Sequence, residues 1–223
     1  MVEAIVELDE FLRVVGEGFP KQGVAVGERQ YEECLEKREI WDDLSNVSRK
    51  QVEQTVVEFL NKWKCRLQYQ CVQELTSVLQ ETERWLQILR RFHIDAIDLL
   101  APIKVENEMM RSFILVEKVF SPIQRVRAGR RTVGFTATSK ILHMAIPDLF
   151  VMCDESIRKA YGCEGNAAGY VNFMFRMNLI ASDLISQAKG NKQTILDCSK
   201  WKERTLARLL DNYNYSKYTL NKA

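Results

Sequence analysis

Apolar residues recur at spacings of three and four along most of this chain, and glycine and proline are rare, 10 and 4 of 223 residues. That pattern belongs to stacked amphipathic helices. No convincing strand pattern appears, so the expected class is all-α, without internal repeats. Residues 2–16 read as a short amphipathic helix, followed by a loop from Gly16 to Gly27 around Phe19-Pro20. Residues 28–44 read as a second helix, heavily acidic. Ser48 and Gln51 stand at capping-box spacing, and Val52, Val56, Phe59 and Trp63 then mark one helix face. After a break near Cys65, helix resumes over 66–79.

The next helix spans 82–100, with Trp85, Leu89, Phe92, Ala96 and Leu99 inward, His93 beside that stripe, and Pro102 as its end. Another covers 104–120, with Met109, Phe113, Val116 and Phe120 inward, and Pro122 as its end. Helices over 137–146, 155–161, 167–188 and 199–211 complete the chain. Ile141, Leu142 and Ala145 face inward from the first of these, and Phe173, Met177, Ile180 and Leu184 from the third. The aromatic, basic tail from Tyr213 to Tyr218 either packs on the body or offers rings to stacked bases. The whole reads as one domain, 1–223, with lobes at about 48–120 and 121–223 and an acidic helical arm at 1–47.

Composition narrows the function classes. With 46% hydrophobic and 28% charged residues, the chain is an ordinary globular one,. No apolar run reaches the ~20 residues of a membrane span. The acidic start is unlike a secretory signal, so a cytoplasmic location is expected. The six cysteines, at 34, 65, 71, 153, 163 and 198, form no Cys-x-x-Cys pair, and His93 and His143 are the only histidines. Neither a zinc nor an iron–sulfur site is indicated, and no metal or organic cofactor is expected.

Charge changes the picture. Residues 1–47 carry 12 acids against 5 Lys or Arg: a solvated face, an arm that keeps nucleic acid off the back of the molecule, or one that docks on the basic stretch at 118–147. From Lys118 to Pro147 there is no acid at all, while Lys118, Arg125, Arg127, Arg130, Arg131 and Lys140 contribute six positive charges. The whole chain carries only +2, so the remainder is net negative by four. Such a local concentration is a device for holding an anion. Within it, Gly134 turns the chain into a helix start through Thr136 and Thr138. Unpaired amides and hydroxyls at the positive end of a helix dipole make a phosphate site, with Arg130 and Arg131 just ahead. Beyond Pro147 an apolar strip, Leu149 to Cys153, leads to Asp154. That residue is either the N-cap of the helix over 155–161 or a carboxylate at the rim of an apolar pocket.

The succession Gly134, Thr136-Ala137, Pro147, Phe150, Asp154, Ile157 and Tyr161-Gly162 resembles the helix-hairpin-helix superfamily of DNA glycosylases, over about 35 of the 223 residues. The resemblance implies a two-lobed helical fold with a helix-hairpin-helix element that grips DNA by its phosphates. It further implies a damaged base flipped into a pocket between the lobes and an Asp, here Asp154, essential to glycosidic-bond cleavage. Two departures stand out. Arg131-Thr132-Val133-Gly134 replaces the family's Leu-Pro-Gly hairpin, and Phe135 occupies the place of the lysine that lets some members act as lyases on abasic sites. Lys140 lies one helical turn further on, its side chain expected to face the surface. Lys50, Lys62 and Lys140 are the candidate amines, Lys140 having the most basic surroundings.

The expected function is therefore base-excision DNA repair on damaged bases or abasic sites. Arg125, Arg127, Arg130, Arg131, Gly134, Thr136 and Thr138 would contact DNA, and Asp154 and Lys140 would carry the chemistry. Two other classes fit the same residues: a helical nucleic-acid-binding protein without catalysis, and an interaction module whose arginines meet an acidic partner.

Overall fold

The computed structural model describes residues 6–16, 22–37, 39–197 and 204–220. With 66% helix and 6% strand, the chain is mostly α-helical. In order come α1 (Leu8–Gly16), α2 (Gln22–Glu36), α3 (Glu39–Asp42) and α4 (Arg49–Gln51). A π-helical stretch, Val52–Val57, joins α4 to α5 (Glu58–Lys62), and a 3₁₀ turn at Tyr69–Cys71 opens α6 (Val72–Leu89). The hairpin β1–β2 (Pro102–Val105, Glu108–Arg111), α7 (Ser112–Arg125) and the hairpin β3–β4 (Arg127–Ala128, Arg131–Thr132) follow. Then come α8 (Gly134–Ala145), α9 (Glu155–Ala160), α10 (Ala167–Gln187), α11 (Lys192–Asp197) and α12 (Leu206–Tyr218). The Phe19-Pro20 loop, Cys198 and Trp201 lie outside the described residues.

The capping box is present as expected. Ser48 Oγ accepts from the Gln51 amide at 3.3 Å, and Gln51 Oε1 accepts from the Ser48 amide at 2.9 Å. Val52, Val56 and Phe59 are buried, across a stretch where the Glu58 amide reaches five residues back to the Glu53 carbonyl.

Several expectations need correction: α2 begins at Gln22, inside the expected Gly16–Gly27 loop, and the last helix runs on to Tyr218 instead of ending at 211. Residues 102–111 are an antiparallel hairpin pairing Pro102 with Arg111 and Val105 with Glu108, not the start of a helix. Glu106, at φ 55°, closes a tight turn no helix can contain, and Met109 stands 65% exposed instead of inward. A second short hairpin pairs Arg127 with Thr132. The chain is thus mostly rather than wholly α. Next, the two helices expected over 66–79 and 82–100 are one, α6, which stops at Leu89. Past it the Ile94 amide bonds the distant Asp148 carbonyl at 2.9 Å, leaving the helical ladder, and Ala96 is exposed. Last, Pro122 lies inside α7, because Val119 and Ile123 bury the same helix face on either side of it. Burial of that face outweighs the missing backbone donor.

The centre of the core is a ring cluster joining α7, α8 and α10. Phe120 stacks on Tyr170 at 4.4 Å, and Phe135 meets both edge-on at 5.3 and 5.8 Å. Ile141, Leu142, Ala145, Phe173, Met177, Ile180 and Leu184 are buried as the spacing requires.

The acidic arm docks on the C-terminal helix. Phe11 and Tyr213 meet at 5.3 Å, and Glu10 accepts from Tyr213 at 3.0 Å and Lys217 at 3.2 Å. Glu33 pairs with Lys62 and Glu32 with Arg204. The tyrosine tail is the body of α12: Tyr213 is buried and Tyr218 meets Tyr161 edge-on at 5.4 Å. Among the described residues no helix is long and apolar enough to cross a membrane.

Candidate functional site

The basic stretch runs through the second half of α7, the short β3–β4 pair and α8. Arg125 ends α7, Arg127, Arg130 and Arg131 lie on the β3–β4 hairpin, and all four are exposed. Glu74 of α6 holds the hairpin by accepting from the Arg127 amide at 3.0 Å. Val133 then passes into Gly134, whose φ of +76° suits glycine and makes the sharp entry to α8,. No side chain caps the start of α8, so its first amides stay unclaimed by side chains. Thr136 is half-buried there. Thr138 is fully buried and donates to the Gly134 carbonyl at 2.7 Å, so it braces the helix and cannot meet a phosphate.

Two hydrogen bonds of Ser139 fix the path of the chain beyond α8. Its Oγ donates to the Thr136 carbonyl at 2.9 Å and accepts from the Cys153 amide at 3.1 Å, tying α8 to the buried strip Leu149–Cys153. Tyr170 fastens the same strip through the Val151 carbonyl at 2.9 Å. Asp154, the next residue, is thereby held beside the start of α8. It caps α9, Oδ1 accepting from the Ile157 amide at 2.8 Å, while Oδ2 accepts from the Thr219 hydroxyl at 2.7 Å. Capping and pocket-lining, alternatives in the sequence, occur together.

A cavity of about 410 Å³ opens at this junction. Thr136, Ala137 and Lys140 of α8 line it, with Asp154, Glu155 and Ser156 at the start of α9 and Trp63, Lys64 and Cys65 after α5. The volume lies in the range typical of small-molecule sites. Lys140 does not face outward as the helical spacing implied. It is half-buried, and its Nζ donates to the Trp63 carbonyl at 3.3 Å and lies 3.6 Å from Cys65 Sγ and 5.2 Å from the Trp63 ring centre. Of the other candidate amines, Lys62 is exposed and paired with Glu33 at 3.0 Å, and Lys50 is exposed in the first turn after Ser48. Neither lines the cavity. Phe135, in the place of the family lysine, is buried in the ring cluster.

The wall from α5 was missed by sequence reading. Its loop is strained, with Lys64 at φ 62° and Arg66 at φ 54°,. Asn61 holds it by giving to the Leu67 carbonyl at 2.9 Å and taking the Leu67 amide at 2.6 Å. The indole Nε1 of Trp63 is buried with no partner among the described residues. Behind Trp63 lies a buried layer: Arg208 under Tyr31 at 4.4 Å and Trp63 at 5.5 Å, paired with Asp211, and His143. Burial, with Arg208 nearby, lowers the His143 pKa to about 3, so the ring is neutral. Its Nδ1 donates to the Phe150 carbonyl at 2.6 Å, leaving Nε2 to accept from Tyr31 at 2.9 Å. Only the break near Cys65 hinted at this wall in the sequence.

Five cysteines, Cys34, Cys65, Cys71, Cys153 and Cys163, are free thiols. Burial pushes the Cys65 thiol above its usual range, against the pull of Lys140. Among the described residues no cluster of His, Cys, Asp or Glu is arranged to hold a metal ion. Comparison with protein-family models, curated proteins and solved structures gives no match.

Proposed function

We propose that this protein is a base-excision DNA-repair enzyme acting on damaged bases or abasic sites, with the helix-hairpin-helix element formed by α7, the β3–β4 hairpin and α8. One observation carries the reading: Lys140 and Asp154, 14 positions apart, line a single cavity at the uncapped start of α8, next to the arginine hairpin. Arg125, Arg127, Arg130 and Arg131 bind backbone phosphates, the forked guanidinium suiting phosphate oxygens. The amides after Gly134, with Thr136, take a further phosphate at the helix N-terminus. A flipped base or an opened sugar enters the cavity, since a residue within a stacked duplex is otherwise out of reach.

In this role Asp154 stabilises positive charge developing on the sugar. Its two partners do not exhaust it, because a carboxylate has about four lone-pair sites. They fix its orientation instead. Lys140 is the amine that condenses with the sugar aldehyde of an abasic site.

The test is incubation with duplexes carrying uracil, oxidised guanine, hypoxanthine or an abasic site, with and without borohydride. Strand cleavage after alkali reports base release, and a borohydride-trapped adduct reports a Schiff base. DNA binding without any product would leave the rival reading, a non-catalytic nucleic-acid-binding protein in which Asp154 only caps α9. Absence of both binding and product overturns the proposal.

A further inference from the structure

The cavity holds an amine and a thiol side by side. Lys140 Nζ and Cys65 Sγ are 3.6 Å apart, and both line the same space. They come from separate elements, α8 and the loop after α5. The loop is fixed in place by the paired Asn61–Leu67 bonds and carries left-handed residues on both sides of Cys65. Only a small closing movement of the lysine chain, already turned inward, is needed before one carbon atom can bond to both. Among the described residues Cys65 has no disulfide partner to occupy it.

Resting on the abasic-site reading above, we propose that Lys140 and Cys65 form a two-point trap for an aldehyde, holding an abasic strand as a covalent N,S-acetal. The lysine nitrogen adds to the aldehyde carbon, and the carbinolamine loses its oxygen as water to leave a protonated imine. The Cys65 sulfur then adds to the imine carbon. One C–N and one C–S bond form, and the C=O bond is broken. The water carries away that oxygen with one hydrogen from the ammonium and one from the thiol. No oxidant or reductant takes part.

Strand cleavage by a lyase draws electrons into the imine as the neighbouring proton leaves. An N,S-acetal carbon is tetrahedral and cannot accept them. Cys65 therefore restrains the cleavage that Lys140 would otherwise begin, and the protein holds an abasic site more than it cuts it.

The experiment uses the full chain and a duplex whose abasic sugar is carbon-13 labelled at the aldehyde carbon. The labelled carbon of the free duplex is a hemiacetal carbon bonded to two oxygens; in wild type it moves upfield to the position of a carbon bonded to nitrogen and sulfur, and Cys65 becomes resistant to alkylation. In Cys65→Ala the same carbon appears in the imine region, and strand release rises severalfold. Lys140→Gln loses both the imine and the acetal signals; circular dichroism checks that each variant is folded. An imine signal in wild type, with Cys65 still alkylated and Cys65→Ala unchanged in strand release, overturns the trap while leaving the repair reading intact. No covalent signal in wild type overturns the role of Lys140 as the amine, and the trap with it.

Discussion

Thr219 donates its hydroxyl to Oδ2 of Asp154 at 2.7 Å, joining the end of α12 to the rim of the cavity 65 residues earlier. The other oxygen accepts from the Ile157 amide, so each carboxylate oxygen is held by a different partner. Asp154→Asn keeps a good N-cap, since Asn and Asp are nearly equal there. Stability then changes by less than ~1 kcal/mol, while product formation is lost and DNA affinity is unchanged. Asp154→Ala costs about 0.5–2 kcal/mol as well, because the cap itself is removed. Urea denaturation beside a gel-shift and cleavage assay separates these effects. Full activity in the Asn variant would reduce Asp154 to a cap.

Thr219→Val tests the clamp itself. A net hydrogen bond of this kind contributes about 0.5–1.5 kcal/mol, so the chain stays folded. The freed carboxylate can rotate, and product formation is expected to fall with binding intact. Thr219→Ser restores the hydroxyl and should restore activity.

Gly129 turns the β3–β4 hairpin at φ +72°, and a Cβ there would sit 1.8 Å from Gln68 Oε1. Gly129→Ala therefore strains the backbone by ~1–2 kcal/mol and pushes the Gln68 side chain aside. That side chain is exposed and can move, so Gln68→Ala in the same protein recovers the steric part but not the backbone part. A double-mutant cycle on unfolding free energy measures the difference. Additive effects would mean that the hairpin and the Gln68 side chain do not press on each other.

Where the sequence was informative, the reason was local. The Ser48–Gln51 box, the buried faces of α8 and α10 and the Asp154 cap depend on residues within a few positions of one another. The errors came from non-local bonds. Nothing near Leu89 announces that the Ile94 amide will leave the helix for Asp148, and Met109 falls at helical spacing with Phe113 by chance. Charge density in 118–147 located the site, yet much of the cavity wall comes from Trp63, Lys64 and Cys65. The inward swing of Lys140 depends on that wall, so the stripe of α8 by itself implied an outward side chain. Arg208 was invisible for the same reason: a cation in a helix reads as surface until an aromatic ring covers it.

His143 makes the fold acid-sensitive. Its folded pKa, lowered to about 3 by burial first and by Arg208 next, lies below the ordinary value of 6.5. Above 6.5 both folded and unfolded states are neutral, and the group adds no pH dependence. Below it the unfolded chain takes a proton that the folded chain refuses. Stability then falls by up to ~1.4 kcal/mol per pH unit until the folded value is reached. Urea midpoints measured between neutral pH and about pH 5 should drop in wild type. His143→Gln starts from a lower stability at neutral pH but shows a flatter profile. An equal slope in the two proteins would show that His143 is accessible to protons in the folded state.

Salt dependence addresses the arginines directly. Removing one phosphate-binding cation should reduce the slope of log affinity against log salt by ~0.9 for duplex DNA. Arg130→Gln and Arg131→Gln, both exposed on the hairpin, remove charge without touching the core. Each is expected to shallow the slope by about one and weaken binding equally for lesion-bearing and intact duplexes, because phosphates carry no sequence information. Arg84, stacked on Trp85 at 4.3 Å on α6 and not among the arginines assigned to phosphates, serves as the control, and Arg84→Gln should leave the slope as it is. If all three variants shift the slope alike, the attraction is diffuse rather than centred on the hairpin. If none does, the cation cluster between Arg125 and Arg131 is not where the strand lies.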